Sequence, residues 1–185
     1  MALNRREFLG TVTAGVFSFQ VGDATAMMTP QTARDRGARY RVLSSVEVKA
    51  VESLGDTLLP GAAQAGLAHF LDSQLHVESE RSLLMLRYLD VPPPYAFFYR
   101  ACLAALESSS MSRYRRVFHE LDASEQQTMV DELQKKDPAG WHGPPAPLFY
   151  FVLRSDAVDV VYGTPAGFEK LGVPYMPHIM PPSNW

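Results

Sequence analysis

Prolines divide this chain before any other feature does. Fourteen are spread over 185 residues, and each removes a backbone donor and fixes φ at about −65°, so regular structure has to run between them. Pro60-Gly61, the run Pro92-Pro93-Pro94 and Asp137-Pro138 bound stretches whose apolar residues recur at helical spacing. Beyond the N-terminal leader, no uninterrupted apolar run is longer than the six residues of Leu148 to Leu153. A spanning helix needs roughly 20 such residues, so membrane attachment is expected only through partners.

Between the prolines the start signals are explicit. Ser44-Ser45-Val46-Glu47 is a capping box, followed by Val48, Val51, Leu54 and Leu58 on one helical face. A second helix is expected from about Ala62 to Leu75, with Leu67, Phe70, Leu71 and Leu75 along one side, and a third from about Ser79 to Leu89. Tyr95, Phe98, Cys102 and Leu106 mark a fourth, ending near Glu107, with Ser108-Ser109-Ser110 read as a helix end or loop. Asp122-Ala123-Ser124-Glu125 opens a fifth, with Met129, Val130 and Leu133 facing inward. Leu148 to Leu153 fits a strand or a buried helix on periodicity alone. Pro147 at a first-turn position, and apolar spacing that continues to Tyr162, select a helix.

The fold class expected is therefore all-α, about six helices in one small domain over residues 44–162. An extended leader, residues 27–43, precedes it. Residues 163–185 follow, with five prolines among Phe168, Leu171, Val173, Tyr175, Met176, Ile179 and Trp185. That tail is expected to be extended and irregular, and too apolar to be a solvated linker, so it packs on its own helices or on another subunit.

The first 26 residues have the three parts of an export signal. Arg5-Arg6 with Phe8-Leu9 resembles a twin-arginine (Tat) motif, which a receptor reads on proteins already folded. A mildly apolar stretch from Thr11 to Val21 follows, and Ala24-x-Ala26 offers small residues for a signal peptidase. Cleavage is expected after Ala26, giving a periplasmic protein.

Chemistry is scarce in the remainder. A lone cysteine, Cys102, rules out an internal disulfide, a Cys-x-x-Cys pair, a c-type haem attachment and an all-cysteine iron–sulfur site. Its place between Phe98 and Leu106 reads as a buried thiol, pairing with a partner being the weaker possibility. Seventeen basic against 20 acidic residues, a net charge of −3, is no footprint for nucleic acid. His69 and His76, which flank Asp72, are two turns apart, about 10 Å at 1.5 Å per residue, too far to share one metal. No Gly-x-Ser-x-Gly elbow occurs, and Gly61 to Gly66 lacks a P-loop lysine and a Rossmann spacing. Asp56 reads as a local cap. No catalytic, cofactor-binding or metal-binding residues are expected in this chain.

Several short motifs occur together. Asp56-Thr57-Leu58-Leu59-Pro60-Gly61-Ala62, then Ala65-Gly66 and Phe70-Leu71-Asp72, resemble the opening of the gluconate 2-dehydrogenase subunit 3 family. Val161-Tyr162-Gly163-Thr164 and Gly167-Phe168-Glu169-Lys170-Leu171-Gly172-Val173-Pro174 are similar to its closing segment, and the twin-arginine leader is typical of it. Thr164-Pro165-Ala166 and Gly167-Phe168 depart from the family's usual Gly-Asn and Gly-Trp.

The resemblance implies a complex of three parts. A large FAD-dependent flavoprotein of the glucose-methanol-choline type oxidises a sugar, an alcohol or gluconate, and a multihaem cytochrome c with haem c passes electrons on. This small, non-catalytic subunit supports assembly, stability and co-export of the flavoprotein through the Tat translocase to the periplasmic face of the inner membrane. The partner contacts expected are Tyr162, Gly163, Phe168, Leu171, Pro174, Tyr175 and Trp185, because aromatic residues dominate interface energetics. A transient export chaperone that leaves its client, and a stand-alone periplasmic enzyme with an unrecognised site, are the alternatives.

Overall fold

The computed structural model describes residues 15–174. Two strands, β1 (Phe17–Val21) and β2 (Ala24–Met28), form an antiparallel hairpin. Seven helices follow among the described residues: α1 (Pro30–Asp35), α2 (Ser45–Leu58), α3 (Leu67–His76), α4 (Tyr95–Tyr114), α5 (Ala123–Leu133), α6 (Ala146–Tyr162) and α7 (Pro165–Lys170). The chain is mostly helical, as its punctuation predicts.

The two capping boxes are formed. Ser44 Oγ accepts the Glu47 N–H at 3.3 Å while Glu47 Oε2 accepts the Ser44 N–H at 2.7 Å, which starts α2. Asp122 Oδ1 accepts the N–H groups of Ser124 and Glu125, both at 2.9 Å, and Glu125 returns to the Asp122 N–H at 3.0 Å. Helix α6 starts at Ala146, whose N–H donates to Asp137 Oδ1 at 2.7 Å. Asp56 caps locally: its Oδ1 accepts the Ala63 N–H at 2.9 Å.

Helix α6 is the centre of the body, touching α2, α3, α4, α5 and α7. The stripe it turns to those neighbours is apolar, while Phe151, Arg154, Val158 and Asp159 lie exposed on its remaining side. Phe149, Val152, Leu153, Ala157, Val160 and Val161 are buried along it. Phe149 meets Phe98 of α4 and Trp141 with ring centroids 6.4 and 6.1 Å apart.

Five local expectations are corrected. The expected helix over 79–89 is two short 3₁₀ turns, Ser79–Arg81 and Met85–Leu89, with Leu84 and Leu86 fully buried. Leu83 N–H donates to Gln74 Oε1 at 2.9 Å, a side-chain acceptor taking the place of a helical carbonyl. Ser108-Ser109-Ser110 does not end α4, which runs on to Tyr114, because Ser109 and Ser110 satisfy their hydroxyls on the carbonyls of Ala139 and Arg116 at 2.8 and 2.7 Å. Helix α3 starts five residues later than Ala62, at Leu67. Gly66, at φ 90, precedes it so close to α1 that a Cβ would lie 2.3 Å from the Pro30 carbonyl carbon.

The last two corrections concern the ends. Residues 27–43 are not wholly extended, because Thr29 caps α1 by accepting the Thr32 N–H at 3.1 Å, with Pro30 in its first turn. The C-terminal segment likewise contains α7, capped by Thr164, whose Oγ1 accepts the Gly167 N–H at 3.0 Å. Among the described residues no helix is long and apolar enough to cross a membrane.

Candidate functional site

The buried polar residues come first, because any chemistry would have to use them. Asp72 on α3 accepts the Arg41 N–H on both oxygens at 3.1 and 2.9 Å, and the N–H groups of Val42 and Leu43 on Oδ1 at 2.8 and 2.9 Å. His69, one turn earlier, contacts the Ala38 carbonyl at 3.2 Å and the Tyr40 hydroxyl at 3.1 Å. Burial lowers the His69 pKa and raises that of Tyr40. Of the residues singled out in the sequence, His69 and Asp72 are thus used to hold residues 38–43 against α3, while His76 is exposed at the end of that helix.

Asp156 on α6 is fully buried. Tyr99 of α4 donates its hydroxyl to Oδ2 in a short hydrogen bond, and the Met85 N–H donates to Oδ1 at 2.9 Å. Burial pushes the Asp156 carboxyl up to about 7, against the opposing pull of these two donors. Burial also raises the Tyr99 hydroxyl well above its ordinary value, and the nearby Asp156 carboxylate adds to this. Cys102 is buried, and burial pushes its thiol up to about 12, the opposite of what activates a nucleophile. Among the described residues no group of three or more His, Cys, Asp or Glu is placed to hold a metal ion.

The sequence-selected contact residues cluster where α6 turns into α7. Tyr162, the last residue of α6, is half-buried on the main core, and the Gly163 N–H closes the helix on the Asp159 carbonyl at 2.9 Å. Gly167 lets α7 fold back onto α6: a Cβ there would lie 2.5 Å from the Val161 oxygen. Phe168 is half-buried. Leu171 and Val173 lie 54% and 49% exposed, with Pro174 exposed beside them, so this edge offers apolar surface that the body leaves uncovered. Tyr175 and Trp185 lie outside the described residues, as do Arg5, Arg6, Phe8 and Leu9 of the leader. Ala24 and Ala26 lie in β2.

Two grooves of about 300 and 380 Å³ flank this junction and share Pro30, Val160 and Thr164. Tyr88, 63% exposed, stands on the rim of the first. Sequence periodicity missed Tyr88 because it sits on a 3₁₀ turn, where helical spacing carries no information. Asp156 was missed too, its partners lying 57 and 71 residues away.

The described residues thus form a small, mostly helical body whose buried polar groups brace its own chain, with an exposed apolar edge just past α7. Residues 45–181 match the family described as gluconate 2-dehydrogenase subunit 3, and the chain belongs to that family. No curated protein and no solved structure matches it. The family is a subunit of a dehydrogenase complex, and its name implies association with other subunits.

Proposed function

We propose that this chain is the non-catalytic small subunit of a periplasmic FAD-dependent dehydrogenase of the glucose-methanol-choline type, acting on a sugar, an alcohol or gluconate. It assembles with and stabilises the flavoprotein and carries it through the Tat pathway by means of Arg5, Arg6, Phe8 and Leu9. A multihaem cytochrome c completes the complex at the periplasmic face of the inner membrane. FAD and haem c belong to those partners. The observation that carries this reading is the family match over residues 45–181, which takes in α2 to α7 and the segment beyond. The structural use of Asp72, Asp156, His69 and Cys102 supports it.

The contacts assigned to the partner are Tyr162, Gly163, Phe168, Leu171, Pro174, Tyr175 and Trp185, with Leu171 and Val173 the exposed apolar residues nearest the tail. An affinity pull-down of the tagged chain from the periplasmic and membrane fraction, read by visible spectrum and mass spectrometry, is expected to bring down a stoichiometric flavoprotein. Recovery of the chain alone, under conditions that preserve complexes, overturns the stable-subunit reading. The double substitution Leu171→Asp with Val173→Asp is expected to cut the recovered flavin at least tenfold while leaving the melting temperature of the isolated chain nearly unchanged, since both side chains are about half exposed.

A further inference from the structure

The hairpin of residues 17–28 is built into the body. Its two-residue loop turns at Gly22, which takes φ 61, and the register pairs Phe17 with Met28, Phe19 with Ala26 and Val21 with Ala24. Strand alternation then places Phe17, Phe19, Val21, Ala26 and Met28 on one face. That face packs down. Phe19 and Met28 are 4% and 6% exposed and form a buried cluster with Ala33 of α1 and Ala38. Phe17 meets Phe70 of α3 edge-on at 5.6 Å, and Phe19 meets His69 at 6.1 Å. The outer edge of β1 is used as well, where the Arg39 N–H donates to the Gln20 carbonyl at 2.9 Å.

Signal peptidases, like other proteases that read a short segment, take their substrate as an accessible extended strand whose backbone pairs with the enzyme. Here Ala26 already sits in a ladder opposite Phe19, and its small side chain has a second explanation: it is partly buried against the cluster on the packed face. Cutting after Ala26 would remove β1 and most of β2, uncovering Phe70 and His69 and leaving the Arg39 N–H without its acceptor.

We propose that docking of the 17–28 hairpin on α3 shields the Ala24-x-Ala26 site, so that residues 15–28 stay on the exported subunit as part of its fold. The inference takes the export reading above as given for its cellular arm and is independent of it in the test tube. An exported chain that begins with the hairpin in place needs no second ligand for that face of α3. The leader then serves twice, as address and as structural element.

Two measurements decide it. The purified full-length chain, and a synthetic peptide of residues 1–40 that lacks α3, are incubated with purified signal peptidase in detergent and read by mass. The peptide is expected to be cut after Ala26 at least tenfold faster than the folded chain. Equal cutting of both, or cutting of neither, overturns shielding by the fold. Full-length Phe19→Asp is expected to be cut at a rate approaching that of the peptide while its helical circular dichroism persists; an uncut, still helical variant overturns the proposal. In cells, the N-terminus of the chain recovered from the periplasmic and membrane fraction is expected at or before Gly15, and a chain starting at Met27 overturns it. Absence of the protein from that fraction counts against the export reading, and the test-tube arm still decides the inference.

Discussion

Asp72 on α3 and Asp156 on α6 each hold a non-helical segment by its backbone, one the stretch 41–43 and the other the 3₁₀ turn at Met85. The two carboxylates meet different surroundings. Asp72 takes four hydrogen bonds from three successive N–H groups, a backbone nest that replaces lost water almost bond for bond. Asp156 receives one N–H and one phenol, and sits deeper among apolar side chains of α4 and α6. The donors cannot offset the desolvation there, and its carboxyl is pushed up to about 7. Burial and the donors aimed at a carboxylate thus act against each other, and at Asp156 burial prevails.

Removing Asp72 tests the stronger anchor. Asp72→Ala leaves the part-buried N–H groups of Arg41 and Val42 and the buried one of Leu43 without their acceptor, at about 1–3 kcal/mol for each donor that water does not reach. A loss of about 5 kcal/mol is expected in urea denaturation. A loss below about 1 kcal/mol would show that residues 41–43 are not held from α3.

The Asp156 contrast is read in pH. Its folded pKa, about 7, lies above the ordinary 3.8, so between those values the folded state keeps a proton that the unfolded state has released. Its contribution is then fully present below about pH 4, falls as pH rises to about 7, and is level above. The full change corresponds to about 4 kcal/mol at 1.36 kcal/mol per pH unit. Asp156→Asn, which cannot ionise, is expected to remove this slope from the stability profile; an unchanged profile would break the comparison.

The smallest effect sharpens the first. Arg100 holds the same 41–43 stretch from the solvent side, donating to the Val42 carbonyl at 2.7 Å and lying 3.4 Å from Glu47. Its side chain is 48% exposed. Water competes for both contacts, so Arg100→Ala is expected to cost about 0.5 kcal/mol in the same urea assay. A cost comparable to that of Asp72→Ala would move the anchor from the inside of the segment to its surface.

Local chemistry explains what was legible in the sequence. Helices α2 and α5 were placed by capping boxes whose partners lie three residues apart, and Cys102 by its neighbours on one face of α4. The segments read wrongly are set by distant groups. The helix runs on through Ser108 to Ser110 because carbonyls at 139 and 116 absorb the hydroxyls of Ser109 and Ser110, and residues 79–89 follow Gln74 and Asp156 instead of their own apolar spacing. The hairpin is different: Phe17, Phe19 and Val21 alternate with Ser18 and Gln20, a period of two, within the stretch that also reads as the apolar part of a signal. In the candidate site, Leu171 and Pro174 could be named from composition, whereas Tyr88 reaches the same junction only through the fold.

The sulfur of Cys102 is fully enclosed between α4 and the surrounding core, and it is the chain's single thiol. Any alkylating reagent can reach it only in molecules whose core has opened, so the pace of labelling counts opening events with no dye, tag or engineered probe. The residue that carries no chemistry of its own thereby makes the protein its own clock, recording how often the body comes apart while free, and how much less often once another subunit is seated on it.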